Sequence, residues 1–524
     1  MIKVDGNSLE IEDVYSVAMD KAEVVFPKEE SFLQRLEAAR KFLIDYIKQG
    51  FPTYGVTTGF GDSCDSQISY EKAGLLQRTI VRFHGIGMGD KFSKEQARAI
   101  VLCRLNSNIK NGHSAIRVEL AEFMRMLLNK DIIPVIPQLG SVGASGDLTP
   151  LSYVGAVIMG DREVYYKGKI VPTKEAFDAE GITPLPLEAK EGLALMNGTS
   201  VMTAIASLNW RRANRIAIIS DYLTAVTVEI MQGNEVPFRS RVSEMKNHKG
   251  QIASGNYIYN IIKESKRVYK YEELLKSMGA LNQDKGFSKR DKKIQDRYSL
   301  RCAPQINGVL RDTLSITREW IEEEINSAND NPLVDIDENS LYNTGNFYGG
   351  HICAASDYLR VALANVCDLS DKQAEVIIDG KFNGLTDNLI VPVEDNDPKA
   401  GLNYGFKAAQ ITISAIRAEV QFLAAPMSIH SSPTEALNQD KVSMGTISSR
   451  KLDEQVTLAY QQLAIHLLAT CQAMDIVGAE QFSPFAQKVY AEVRKISAFV
   501  DEDRALDKEA TKVAKWLETT VLFG

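Results

Sequence analysis

A chain of 524 residues, 44% hydrophobic and 24% charged, has the make-up of an ordinary folded protein with room for a large core. A net charge of −8 gives no global electrostatic case for nucleic acid or an anionic membrane, and no apolar run reaches membrane-spanning length. Six scattered cysteines without a C-x-x-C pair suit reduced thiols, and six dispersed histidines without an H-E-x-x-H pair offer no metal site. The opening Met1-Ile2-Lys3-Val4-Asp5-Gly6 carries no apolar signal-type run, so the expectation is a cytoplasmic protein with neither metal nor nucleotide.

Residues 8–49 read as helical, with Leu33, Leu36, Ala39 and Leu43 at three- and four-residue steps before Gly50. Tyr54-Gly55-Val56-Thr57-Thr58-Gly59-Phe60-Gly61 follows as a glycine-punctuated loop with a tyrosine at its entry. Helix is expected over 70–87, with Phe83-His84 near its end, and again over 95–128 with a break at Asn111-Gly112. Val164 to Val171 reads as a small hairpin. Lys190 to Thr199 leads into a long apolar helical region reaching about residue 235. Residues 263–297 are the most basic and polar part and are expected to form a mobile surface excursion.

From 310 onward helices dominate. Leu314, Ile316, Trp320, Ile321 and Ile325 mark one apolar face, which stops at Asn329-Asp330-Asn331-Pro332 because proline cannot continue a helix. Further long helices are expected over 351–378, 402–424 and 452–478. In the last, the core-type spacing of Val456, Leu463, Leu467, Cys471 and Met474 makes His466 a packed residue rather than a ligand. The result is a mainly α chain, a long helical bundle able to carry functional groups on facing helices.

The chemistry centres on Gly140-Ser141-Val142-Gly143-Ala144-Ser145-Gly146-Asp147-Leu148-Thr149-Pro150. Glycines allow a tight bend in which the Gly146 nitrogen can attack the Ala144 carbonyl carbon and close a five-membered ring. Loss of two waters, one taking the Ser145 hydroxyl, leaves a ring ketone conjugated to a methylidene, an electrophile that no side chain supplies. Taken alone, the same string also reads as a plain loop.

Ala144-Ser145-Gly146 resembles the prosthetic-group site of the aromatic amino acid ammonia-lyases and 2,3-aminomutases. These enzymes carry 4-methylidene-imidazole-5-one (MIO), formed autocatalytically from Ala-Ser-Gly. The other motifs that carry the resemblance are Tyr54 to Gly61, Asn197-Gly198-Thr199, Tyr298 to Gln305, Ser327 to Leu333, Gly345-Asn346-Phe347 and Asn438-Gln439-Asp440, in the family's order over roughly residues 8–475. It implies a fold of the aspartase/histidine ammonia-lyase type. A loop-rich MIO-bearing region would occupy 1–200, a central long-helix bundle 201–480 and a C-terminal helical tail 481–524. It further implies a homotetramer whose active sites combine loops from three chains.

By resemblance, Tyr54 is the base that takes the β-proton. A free phenol has a pKa of about 10, so it needs nearby positive charge or donated hydrogen bonds, for which the backbone around Gly61 is suited. Arg301 resembles the anchor of the substrate carboxylate, with the planar fork suited to it. Tyr298 resembles a second tyrosine that supports MIO and proton transfer, and Asn197 the residue that hydrogen-bonds MIO or substrate. Gln305, Asn329 and Phe347 resemble pocket residues, though each can equally satisfy buried groups or pack in a core.

Phe83-His84 resembles the pair that faces the substrate ring. Phe83 offers an apolar contact and His84 a donor or acceptor for a para hydroxyl. Histidine lyases carry a glutamate where this chain has Gln439, which argues against histidine. The expectation is therefore elimination of ammonia from an aromatic amino acid, L-tyrosine first, giving p-coumarate. Histidine or phenylalanine elimination, or a tyrosine 2,3-aminomutase, are the alternatives.

Overall fold

Helical spacing of apolar residues runs through most of the chain, and the computed structural model of the protein is accordingly dominated by helices. It describes residues 1–280, 284, 286–289 and 293–523. Of the expected surface excursion over 263–297, positions 281–283, 285 and 290–292 lie outside the described residues; the part before them includes the helix Tyr271–Met278. Among the described residues no helix is long and apolar enough to cross a membrane.

The chain forms two compact units, neither of them contiguous. One comprises Met1–Arg211, Thr317–Tyr358 and Pro426–Asp453; the other comprises Arg212–Ile316, Leu359–Ala425 and Glu454–Gly524. Four long helices, Ser200–Ile230, Ala303–Ile325, Gly350–Ile378 and Gly445–Val477, each contribute residues to both.

In the first unit the expected helix over 8–49 is two, Ile11–Met19 and Glu30–Lys48. The break holds Lys21 in the left-handed region and the β-branched pair Val24-Val25, which joins Ile2-Lys3 in a short parallel pairing ahead of Pro27. The helix Lys94–Ile109 starts on a Ser93/Gln96 capping box and is buried from Ala97 to its end. It stops where expected, because Asn111 and Gly112 both take positive φ and Gly112 sits tight against Ala39 and the Arg35 carbonyl. Glu163–Tyr166 and Lys169–Pro172 form the expected hairpin around Lys167-Gly168, extended to three strands by Ile133–Pro134.

The second unit is built on aliphatic helix faces. Val456, Leu463, Leu467, Cys471 and Met474 are all buried, as their spacing requires. His466 packs among them, its Nδ1 3.0 Å from the Ser370 hydroxyl, and burial takes its pKa down to about 3. Pro484–Arg494 and Asp507–Thr519 supply the helical C-terminal segment.

Candidate active site

The Ala-Ser-Gly loop is held from two sides within the first unit. On one side Gly146 pairs with Gly198 in a parallel bridge, and the Asp147 N–H donates to the Gly198 carbonyl at 2.7 Å. Gly146 has φ +68, and a Cβ there would collide with the Gly198 backbone, so only glycine permits this approach. On the other side the Ser443 N–H donates to the Gly143 carbonyl at 3.1 Å and the Met444 N–H to the Val142 carbonyl at 3.0 Å.

Asp147 locks the loop to the next helix. Its buried carboxylate accepts from the Val201 and Met202 N–H groups at 2.9 Å each, satisfying free donors at the start of Ser200–Ile230. Ser141 and Thr446 donate to its other oxygen. Burial raises the Asp147 pKa against these four hydrogen bonds.

Asn197 follows the helix Glu191–Met196 and turns its side chain onto the loop. Its Nδ2 donates to the Ser145 carbonyl at 2.9 Å, while its Oδ1 is buried without a partner among the described residues. Gln439 reaches Ser145 Oγ at 3.3 Å, and its own carbonyl accepts from the Thr434 hydroxyl at 2.5 Å. These surroundings fit an MIO ring. The glycine whose nitrogen must attack is unobstructed by a side chain. The Ser145 carbonyl, which such a ring retains as its ketone, already has a donor.

Above the loop is a cavity of about 600 Å³. Tyr54 enters it from the glycine-rich turn, its phenol oxygen accepting from the Gly61 N–H at 2.9 Å. The Glu435 carboxylate occupies the space where a Gly61 side chain would be. Burial pushes the Tyr54 pKa up; the Gly61 hydrogen bond opposes that, and the Glu435 charge adds to it. Phe83 and His84 close one wall with ring centroids 4.3 Å apart. His84 Nδ1 lies 3.0 Å from the Ile80 carbonyl, so in the neutral ring that nitrogen carries the proton and Nε2 is the acceptor. Burial lowers the His84 pKa and favours this neutral form.

Of the residues singled out in the sequence, Tyr54, Gly61, Phe83, His84, Ala144, Ser145, Asn197, Phe347 and Gln439 line this one cavity. Gly146 backs the loop. Asn329 is buried behind it and satisfies other groups: its Oδ1 accepts from the Ser107 hydroxyl at 3.1 Å, and its Nδ2 donates to Ser327 Oγ at 3.0 Å. Tyr298, Arg301 and Gln305 belong to the second unit and are not among the lining residues. There the Arg301 guanidinium lies 4.5 Å from the Tyr298 ring centre, and Arg301 Nε and Gln305 Oε1 are buried without partners among the described residues.

Sequence reasoning missed Glu435 and Lys441, which also line the cavity on either side of the Asn438-Gln439-Asp440 motif. Glu435, Ala436 and Leu437 take φ of +52°, +51° and +65°, a left-handed turn of three non-glycine residues. That backbone is costly, and the residue types do not announce it.

The aromatic amino acid lyase family matches residues 9–495. A histidine ammonia-lyase of Caldanaerobacter subterraneus subsp. tengcongensis is 37% identical over 506 residues, 96% of this chain and 94% of that protein. A histidine ammonia-lyase of Myxococcus xanthus is 34% identical over all of this chain and 98% of its own. Among solved structures, the tyrosine aminomutase from Streptomyces globisporus superposes with a TM-score of 0.92 at 34% identity, covering 99% of this chain and 96% of that one.

These relatives overturn the expectation of tyrosine elimination to p-coumarate. Relatives 32–37% identical over 96–100% of the chain bear the name histidine ammonia-lyase. Gln439 supplies no carboxylate, yet the cavity is lined by two carboxylate residues, Glu435 and Asp440. Fold, loop and full-length similarity agree, and the chain belongs to the aromatic amino acid lyase family.

Proposed function

We propose that this chain is an ammonia-lyase that eliminates ammonia from L-histidine, using MIO formed from Ala144, Ser145 and Gly146. The family depends on that group, and the loop geometry accommodates it. The observation that carries the substrate assignment is the set of acceptors on the cavity wall. Glu435 and the Nε2 of a neutral His84 both offer lone pairs, and the substrate's imidazole brings one N–H donor when neutral and two when protonated. The names of the full-length relatives point the same way.

When formed, MIO supplies an electrophile that turns the substrate's amine into a better leaving group. Tyr54 takes the β-proton at its phenol oxygen, with the Gly61 N–H supporting the phenolate. Burial and Glu435 both raise its pKa, and a cation beside the phenol would lower it. The guanidinium of Arg301 from a neighbouring copy supplies that charge while it anchors the substrate carboxylate. Tyr298 and Gln305 complete the site from neighbouring copies of a homotetramer. The exposure of Tyr298 at 71% and the unpartnered atoms of Arg301 and Gln305 suit such a role.

A steady-state assay with L-histidine, L-phenylalanine and L-tyrosine offered separately tests the reading. Ammonia and the unsaturated imidazole acid are expected from histidine, with kcat/KM at least about a hundredfold above the other two, since unpaired acceptors penalise a ring without N–H groups. Turnover of another substrate with histidine untouched would overturn the assignment.

A further inference from the structure

A buried arginine lies directly beneath the residue that touches the Ser145 carbonyl. Arg104 is fully buried in the helix Lys94–Ile109. Its Nη1 donates to the Asn197 backbone carbonyl at 2.9 Å and its Nη2 to Ser107 Oγ at 2.9 Å. Ser107 in turn donates to Asn329 Oδ1 at 3.1 Å, and Asn108 donates to the Ala194 carbonyl at 2.8 Å. Positions 104, 107 and 108 share one face of the helix. That polar face receives the Ala194 carbonyl of Glu191–Met196 and the carbonyl of its C-cap, Asn197, groups left free where the helix ends.

The fit at the next residue is tight. Gly198 has φ +149, and a Cβ there would meet both the Arg104 guanidinium and the Asn329 amide. The peptide between Asn197 and Gly198 therefore lies flush on the guanidinium. On its far side the Gly198 carbonyl accepts from the Asp147 N–H at 2.7 Å, and Asn197 Nδ2 reaches the Ser145 carbonyl. One guanidinium thus fixes both the donor and the loop segment that presents the acceptor. Burial lowers the Arg104 pKa to about 10, with Asp330 and Asp147 opposing, so the group stays charged at neutral pH. Asp330 is itself paired with Lys190 at 2.5 Å, both fully buried.

We propose that Arg104 is a positioning residue that acts through Asn197. By holding the 197–198 peptide it keeps the Asn197 amide on the Ser145 carbonyl, both while the Ala144-Ser145-Gly146 ring forms and during turnover. This rests on the proposed function. In ring formation a bond forms between Gly146 N and Ala144 C. The Ala144 oxygen leaves as water with the hydrogens of Gly146 N and Ser145 N. Ser145 Oγ leaves as a second water with its own hydrogen and the Ser145 α-hydrogen, and no oxidant is needed. A donor on the Ser145 carbonyl favours loss of that α-hydrogen, because the electron density it leaves behind is drawn toward the oxygen.

The experiment compares wild type, Arg104→Gln, Asn197→Ala and the double variant as full chains. Thermal melting establishes folding, intact mass gives the fraction lighter by two waters at a fixed time after synthesis, and turnover of L-histidine gives kcat and KM. Arg104→Gln is expected to slow ring formation and lower kcat about tenfold or more, with KM within about threefold, because orientation rather than binding is lost. In the Asn197→Ala background the same substitution should change ring fraction and kcat by less than about twofold. Arg104→Lys should fall between, since an ammonium cannot reproduce the fork. Equal losses in both backgrounds, or a folded Arg104→Gln chain that matures and turns over like wild type, would overturn the proposal. If Arg104→Gln gives no cooperative melt, Ser107→Ala takes its place. A loss of about threefold is then expected that vanishes in the Asn197→Ala background, and its persistence there would be equally fatal. A wild-type chain at full mass would instead overturn the MIO reading on which this rests.

Discussion

The side-chain amide of Asn197 donates to the carbonyl oxygen of Ser145 at 2.9 Å, from a side chain whose own oxygen is buried and has no partner among the described residues. The donor points at the one backbone oxygen of the Ala-Ser-Gly loop that ring formation would leave in conjugation with the electrophile. Asn197→Asp keeps the size and replaces the donor by an acceptor. It is expected to lower kcat for histidine by about 10²–10³, the loss typical of one preorganised donor at a developing oxyanion. Loss confined to KM would assign Asn197 to substrate binding instead.

Tyr54→Phe removes the phenol and leaves the ring in place. Only the Gly61 N–H loses a partner, which costs about 1 kcal/mol, so the variant should fold. With the base gone, kcat should fall about 10²–10⁴-fold. Activity within a few-fold of wild type would move the base assignment to Tyr298.

Glu435→Gln keeps the shape against Gly61 and removes the charge. That charge raises the Tyr54 pKa, so its loss lowers it. A base acts deprotonated, and the rise of kcat/KM with pH should therefore begin at lower pH in the variant. Loss of a charged acceptor should also cost histidine about 10- to 100-fold in kcat/KM. A profile that stays in place, with histidine turnover intact, would show that Glu435 neither faces Tyr54 electrostatically nor meets the substrate.

Much of this arrangement was legible in the residues. The apolar spacing around Val456 to Met474 announced a buried helix and a packed His466, and the Lys167-Gly168 hairpin followed from two β-prone runs around a turn. Tyr54, Asn197, Gln439 and the Ala-Ser-Gly loop were found as motifs, and the structure gathers them around one cavity. Glu435 was not legible, because a left-handed turn of Glu, Ala and Leu contradicts their local preference. Arg104 was hidden because its helix is buried along nearly its whole length and shows little amphipathic contrast. The substrate pair was misjudged for a related reason. Phe83-His84 by itself does not announce the Glu435 carboxylate that folding brings into the same cavity.

Away from the site, Glu229 ties the end of one long helix to the C-terminal segment, its carboxylate accepting from the Ser483 N–H at 2.6 Å and its hydroxyl at 3.1 Å. Burial raises its pKa from 4.5 to about 7, against hydrogen bonds from Ser265 and Ser483 and the charge of Arg267. The folded chain thus binds this proton more tightly than the unfolded one. The stability it contributes is fully present below about pH 4.5 and is lost as pH rises to about 7, a change of about 3 kcal/mol. Unfolding curves for wild type and Glu229→Gln between pH 5 and 8 should show wild type losing stability relative to the variant as pH rises. A constant difference would mean that Glu229 does not titrate in this window.

Whether Ala144, Ser145 and Gly146 become one ring is read directly by intact mass. The wild-type chain should be lighter than its sequence by two waters, and Ser145→Ala should return to the full uncyclised mass with turnover of histidine nearly abolished. A wild-type chain at full mass that still eliminates ammonia would rule the ring out.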